Sequence, residues 1–250
     1  MTRRVKTLMP RKNKRKKSSR PDQSNRPVGK RNYNSLKQVT PRNERQEDYL
    51  NAIENNTVTI SCGPAGSGKT YLAVYEAACH HWSKKDTGIE RIIITRPAIE
   101  AGGEKLGFLP GQLEDKMDPY MRPIYDSLYD IIGIDETKMK LERGYIEIAP
   151  IAFMRGRTFN NAFILVDEAQ NATLEQLKMI MTRIGENCKL VLNGDASQSD
   201  LRSSGLPILM KVLKDVDDIA LINFGKKDIV RSEVVISVVD AFERYENGKN

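Results

Sequence analysis

Short apolar runs alternate along the chain with longer stretches in which apolar residues recur every three or four positions, and the two periods predict different elements. Residues 57–62 (TVTISC), 91–95 (RIIIT), 145–149 (YIEIA), 162–166 (AFILV), 189–193 (KLVLN) and 218–223 (DIALIN) read as strands. Helical spacing covers 68–84, the region near 119–132, 173–183, 204–214 and 229–246. An amphipathic helix over 42–53, with Tyr49, Leu50 and Ile53 facing inward, opens the folded part of the chain. Strands and helices in alternation predict an α/β fold, a mostly parallel sheet with helices on both faces. Thr173 and Gln176 have the spacing of a capping box, which starts the helix that follows them. Residues 96–111, with four Gly and two Pro, are too long for a simple connection and read as a functional or mobile loop.

The first strand runs directly into Gly63-Pro64-Ala65-Gly66-Ser67-Gly68-Lys69-Thr70, which meets the template G-x-x-x-x-G-K-[ST] in the strand–loop–helix setting that the template requires. Backbone N–H groups of such a loop point at phosphate oxygens, and the helix behind it adds its positive N-terminal end. Lys69 is expected to reach the β- and γ-phosphates of a nucleoside triphosphate, and the Thr70 hydroxyl to take a place on Mg²⁺. The run 162–166 ends in Asp167-Glu168, on a strand expected beside the first. In that setting Asp167 holds the Mg²⁺ through water and Glu168 orients the attacking water. An acidic pair in this position also suits a plain helix N-terminus. The run 189–193 leads to Gly194-Asp195-Ala196-Ser197-Gln198, where Gln198 could sense the γ-phosphate at the sheet edge that binds ligands, or simply close a turn formed by Asn193, Gly194 and Asp195.

Length and charge sharpen this picture. The 250 residues suffice for one sizeable α/β domain, and no apolar run approaches the roughly 20 residues of a membrane-spanning helix. Nor does an apolar segment follow the basic start, so a secretory signal is not expected. Residues 1–40 hold fourteen Lys and Arg against the single acid Asp22, which leaves 26 basic and 32 acidic residues in the remaining 210. The expected organisation is a disordered basic tail over 1–40 and a mildly acidic globular domain over 41–250. The tail suits neutralisation of nucleic-acid phosphates, or else serves solubility or addressing. Cys62, Cys79 and Cys188 form no metal-ligand spacing and read as thiols in a reducing, cytoplasmic compartment. His80 and His81 read as a pair that favours a helix C-terminus, with no ligand cluster visible beside them.

Beyond the phosphate loop, several longer blocks carry a family resemblance. They are Arg96-Pro97-Ala98-Ile99-Glu100-Ala101, Leu106-Gly107-Phe108-Leu109-Pro110-Gly111, Tyr145-Ile146-Glu147-Ile148-Ala149-Pro150, Phe153-Met154-Arg155-Gly156-Arg157-Thr158, Asp167-Glu168-Ala169-Gln170-Asn171, Gly194-Asp195 with Gln198, and Asp228-Ile229-Val230-Arg231. Over roughly residues 40–246 the chain resembles the PhoH family of ATPases. The resemblance implies a RecA-like P-loop NTPase fold similar to the N-terminal motor half of superfamily 1 helicases, ATP and Mg²⁺ as ligands, RNA-related roles, and homo-oligomers that include hexameric rings. It also implies that Gln46 reads the adenine edge through its carboxamide, unless that position is merely a solvated helix face. Arg155, Arg157, Arg183 and Arg231 are then candidate γ-phosphate sensors or arginine fingers, with Arg231 favoured; Arg96, Glu100 and Lys105 are candidates for contact with the nucleic-acid backbone or for its coupling to ATP.

Two departures touch the coupling segments. Ala101-Gly102-Gly103-Glu104 carries one Gly more than the family's Ala-Gly-Glu, and Arg202-Ser203-Ser204-Gly205-Leu206 is short and lacks the family's proline. With one RecA-like domain, strand separation would need a second subunit to complete the grip. The implied function is therefore an ATPase coupled to RNA or single-stranded nucleic acid, with a nucleotide-switched RNA-binding or assembly factor as the alternative. A small-molecule kinase, which shares the loop, leaves Gln198 and the 96–111 block without a role.

Overall fold

A computed structural model describes residues 36–83, 87–97, 113–195 and 204–231, with scattered helical residues between 234 and 245. Six strands, β1 (Val58–Cys62), β2 (Arg91–Arg96), β3 (Ile146–Pro150), β4 (Ala162–Val166), β5 (Lys189–Gly194) and β6 (Ile219–Asn223), form one sheet in the order β3-β2-β4-β5-β1-β6. Every neighbouring pair is parallel. The α/β expectation is met, with the sheet parallel throughout these strands.

Period-two side-chain alternation sorts the strand residues onto two faces. Ile92 and Ile94 of β2, Phe163 and Leu165 of β4 and Val191 of β5 share one core with Tyr49, Leu72, Ala77, Ile124 and Leu128. Ile93, Ile164, Val166, Leu190 and Leu192 face a second core with Leu177, Ile180, Leu206 and Leu209. Helices α1 (Glu44–Asn55), α2 (Lys69–Ala78) and α3 (Leu113–Ile132) therefore cover one face, and α5 (Leu174–Met181) and α6 (Leu206–Val212) the other. The expected capping box is present, the Thr173 hydroxyl accepting from Gln176 N and the Gln176 carboxamide accepting from Thr173 N.

The structure departs from the sequence reading at four places. A helix between the third helical region and β3, α4 (Ile134–Glu142), carries charge on most of its positions and buries only Thr137, so it leaves no apolar period to detect. The helical stretch expected from 229 begins later: Ile229, Val230 and Arg231 are not helical, and Val230 N donates to Gly66 O at 2.9 Å. Leu50 is only partly buried, and Gln46 and Ala52 complete the inward face of α1 instead. Finally, β4 does not lie beside β1, because β5 pairs with both and separates them.

Candidate functional site

The intercalated strand decides which side chains meet. Parallel strands end at one edge, so the phosphate loop after β1, the acidic pair after β4 and the end of β5 between them converge there. Register places Ser61 opposite Asn193 and Cys62 opposite Gly194.

Within the loop, Gly66 and Gly68 take left-handed backbone conformations, φ +86° and +85°. A Cβ on Gly66 would collide with Nε of Arg231, and one on Gly68 would lie 2.9 Å from Gln46 Nε2. Glycine at these two places lets a side chain from a distant segment lie against the loop. Ala65 N donates to Asp195 Oδ2 at 3.2 Å, and the Ser67 hydroxyl donates to Pro64 O at 2.9 Å. Lys69 is folded back on the loop, its Nζ donating to Gly63 O (2.7 Å), Pro64 O (2.9 Å) and Ser67 Oγ (3.1 Å). Burial lowers its pKa from the ordinary value, opposed by the charges of Asp195 and Asp167. Its ammonium also sits 5.9 Å from the centre of the Phe224 ring.

On the β4 side, Thr70 Oγ1 donates to Asp167 Oδ1 at 2.7 Å. The other carboxylate oxygen is held by Arg96, whose Nε donates at 2.9 Å and whose Nη2 makes a second, shorter contact; Nη1 donates to Tyr120 O at 2.5 Å. Arg96 thus caps an acid whose side chain is 2% exposed. Glu168 adopts φ +55° and ψ +38°, a conformation rare for a residue with a side chain, and accepts from Gln170 Nε2 at 2.6 Å. The Gln170 carbonyl in turn accepts from Asp195 N at 2.9 Å, so one carboxamide ties the end of β5 to the acid.

Two clefts open on either side of the loop. One, about 330 Å³, is lined by Lys69, Thr70, Arg96, Asp167, Glu168 and Asn193 among others. The second, about 420 Å³, is lined by Lys37, Thr40, Gln46, Gly68, Tyr71 and Val230 among others. Gln46 is buried at its wall with both ends of its carboxamide engaged: Nε2 donates to Ser67 O at 2.9 Å, and Oε1 accepts from Arg42 N at 2.8 Å.

The structure brings together Gln46, all eight loop residues, Asp167, Glu168 and Arg231. It does not bring the other arginines to the loop. Arg155 and Arg157 follow β3, at the opposite side of the sheet from β1, and Arg157 is ion-paired to Glu147. Arg183 lies at the far edge, where its carbonyl accepts from Phe159 N ahead of β4. Gln198, Glu100 and Lys105 lie outside the described residues.

Four residues at the site have roles that the sequence alone does not disclose. Asp195 and Gln170 sit in recognisable motifs, yet only the strand order shows what they join. Arg96 reads as a contact for nucleic acid or a link from it to ATP, and only the structure shows that its guanidinium lies on Asp167. Asn193 reads as a turn former; it is buried, its Oδ1 accepting from Tyr49 OH at 2.5 Å and Ser61 Oγ at 2.7 Å. Its Nδ2 makes no hydrogen bond among the described residues.

A glycine-cradled loop on β1, a hydroxyl–carboxylate pair reaching across to β4, and a strand inserted between the two define a nucleotide-binding P-loop protein with a RecA-like parallel sheet. The family model described as PhoH-like protein matches residues 38–243. The chain belongs to that family. It is 48% identical over 213 residues to a PhoH-like protein of Mycobacterium tuberculosis, covering 84% of this chain and 59% of the relative. It is 42% identical over 209 residues to Protein PhoH of Escherichia coli, covering 82% and 58%. The chain thus spans less than two thirds of the length of these relatives. Among solved structures it is similar to the large terminase of a thermophilic bacteriophage, with TM-score 0.49 and 13% identity over 83% of this chain and 50% of that one.

Proposed function

We propose that this chain is a Mg²⁺-dependent ATPase whose cycle is coupled to RNA or single-stranded nucleic acid. The observation that carries the reading is the 2.7 Å contact between the Thr70 hydroxyl and Asp167, which joins two elements 97 residues apart beside the phosphate loop. A hard divalent cation takes oxygen ligands of this kind, so Thr70 and Asp167 fit Mg²⁺. When bound, the ion supplies positive charge to the phosphates. Lys69 leaves the carbonyls of Gly63 and Pro64 for the phosphate oxygens, and the loop N–H groups bind the same anion. Glu168, fixed by Gln170, accepts the proton of the attacking water. Asn193 Nδ2 and Gln198 are donors for the γ-phosphate, and Arg231, lying along Gly66, stabilises its developing charge in the same subunit. The larger cleft receives the base, where Gln46 exchanges Arg42 N and Ser67 O for the adenine edge.

In this reading the basic tail over 1–40 holds nucleic acid and residues 41–250 form the motor. Subunits assemble as a homo-oligomeric ring in the cytoplasm, so that Arg155 or Arg157 can serve a neighbour's nucleotide. No helix of the described residues is long and apolar enough to cross a membrane.

A second reading, a nucleotide-switched RNA-binding or assembly factor, is favoured by one observation: Arg96, the first residue of the segment 96–111, is tied to Asp167. Charge arriving at Asp167 releases Arg96 without any bond being broken in the nucleotide. Steady-state ATP hydrolysis by the full chain, Glu168→Gln and a chain lacking 1–40, with and without single-stranded RNA at two salt concentrations, separates the two. Hydrolysis lost in Glu168→Gln and stimulated by RNA only when the tail is present supports the coupled ATPase. Absence of hydrolysis in the full chain, with RNA binding intact, overturns it in favour of the switch.

A further inference from the structure

α1 and α2 run side by side in the same direction: Gln46 near the start of α1 meets Ser67 ahead of α2, and Glu54 near the end of α1 meets His80 just past α2. Eleven residues of helix separate Lys69 from His80, about 17 Å at 1.5 Å per residue. At this far end the helix widens into a π-turn, Cys79–Ser83. Such turns often mark functional positions. Glu76 and His80, four apart on one face, and Glu54 across from them each turn one ligand atom into a common space, all within 4.8 Å of one another. His80 Nε2 is 3.4 Å from Glu54 Oε2 and 3.8 Å from Glu76 Oε2.

His80 is 4% exposed, and neither ring nitrogen makes a hydrogen bond among the described residues. A buried imidazole with both nitrogens unsatisfied loses its hydration without compensation. The dipole role expected from the sequence needs a charged ring, but burial holds the His80 pKa at about 4, so the ring is neutral near pH 7 with a lone pair to give. Lys189 of β5 lowers it further; that lysine donates to Glu54 O and Asn56 O, 2.8 Å each, and is itself faced by Asp218.

We propose that Glu54, Glu76 and His80 form a binding site for a divalent first-row transition-metal ion, distinct from the Mg²⁺ position at the phosphate loop. One imidazole and two carboxylates suit Zn²⁺ or Mn²⁺ better than Mg²⁺, which prefers oxygen alone. Ligand atoms on one tetrahedral Zn²⁺ stand roughly 3.3 Å apart, given bonds of about 2.0–2.1 Å. The separation from His80 to Glu54 matches this value and that to Glu76 is about 0.5 Å longer, and Glu54, half exposed, closes over the ion from solvent. Solvent supplies the remaining position. The ion pins the end of α1 to the end of α2, opposite the nucleotide.

The test uses the full chain, dialysed against a chelator, without nucleotide and in excess Mg²⁺. Zn²⁺ binding is followed by equilibrium dialysis and by the melting temperature, and Co²⁺ by its visible absorption. The expectation is one equivalent per chain, a melting temperature raised by several degrees, and affinity reduced at least tenfold in Glu54→Gln and in His80→Gln but unchanged in Asp167→Asn. Glu54→Gln, on a half-exposed side chain, reports even where His80→Gln disturbs folding. No binding at micromolar Zn²⁺, or binding that Glu54→Gln leaves untouched, overturns the proposal without bearing on the ATPase reading.

Discussion

Arg96→Met is the perturbation with the clearest consequence, because it strands Asp167 without changing the length of its neighbour much. Two guanidinium nitrogens of Arg96 serve one oxygen of Asp167, and among the described residues Thr70 alone serves the other. Removing one member of a buried ion pair costs about 3–5 kcal/mol. Asp167 keeps the Thr70 hydroxyl and borders an open cleft that admits water, so the lower end, about 3 kcal/mol, applies. At about 2–4 °C per kcal/mol for a chain of this size, the melting temperature falls by roughly 6–12 °C. Asp167→Asn alone costs about 1–3 kcal/mol, since Arg96 keeps the Tyr120 carbonyl. The double variant strands neither charge, and the cycle should show a coupling of about 2 kcal/mol in urea unfolding. Saturating Mg²⁺-ATP should shrink the Arg96→Met penalty to about 1 kcal/mol, because other positive charge then faces Asp167. Single-variant costs that simply add, to within about 0.5 kcal/mol, would refute the view of Arg96 as a cap on the cation-binding acid.

Other expectations follow from single contacts. Glu168→Gln should slow hydrolysis by about 10²–10⁴-fold while nucleotide affinity, measured by fluorescence titration, changes little. Gly194→Ala drives a Cβ into Leu206 and to 3.1 Å from Gln170 N; chemical unfolding should show a loss of about 1–3 kcal/mol, and a variant as stable as the parent would deny the close approach of β5 to the acidic turn. Tyr49→Phe deletes the donor to Asn193 Oδ1 and should cost about 1–2 kcal/mol by the same method. Arg157 holds the Glu147 carboxyl below its ordinary pKa, so the pair contributes stability above about pH 4.5 that fades as pH falls through the lowered value. Both side chains are about a third exposed, which limits the effect to under about 1 kcal/mol; Arg157→Ala should flatten that part of the acid-unfolding curve.

The inner strands β2, β4 and β5 are legible in the sequence because each is a short apolar run, and a strand buried on both faces needs no finer signal. Their order is not, since the pairing of β5 with β1 rather than β4 with β1 leaves no local trace in either segment. That one missing fact explains why Asn193 reads as a turn former and why Gln170 has no visible role. The loop, Asp167 and Glu168 are readable because phosphate chemistry demands those residue types at fixed spacing. Arg96 is not, because a guanidinium that neutralises a carboxylate and one that meets a phosphate look alike in sequence. The Glu54, Glu76 and His80 cluster needs the parallel packing of two helices before its members meet.

The strand order also governs when the nucleotide site can first exist. β1 carries the phosphate loop, yet both of its partners arrive late: Ser61 and the Asn193 it bonds are 132 residues apart, and β6 follows β5. At about 5–20 residues per second, a growing chain waits roughly 7–26 s between making β1 and making β5. Throughout that interval neither edge of β1 has its final neighbour, while β2, β3 and β4 can already pair among themselves. Synthesis of this fold therefore carries a prolonged aggregation-prone phase, and stalling anywhere before β5 yields a chain that holds the loop but cannot close the site around it.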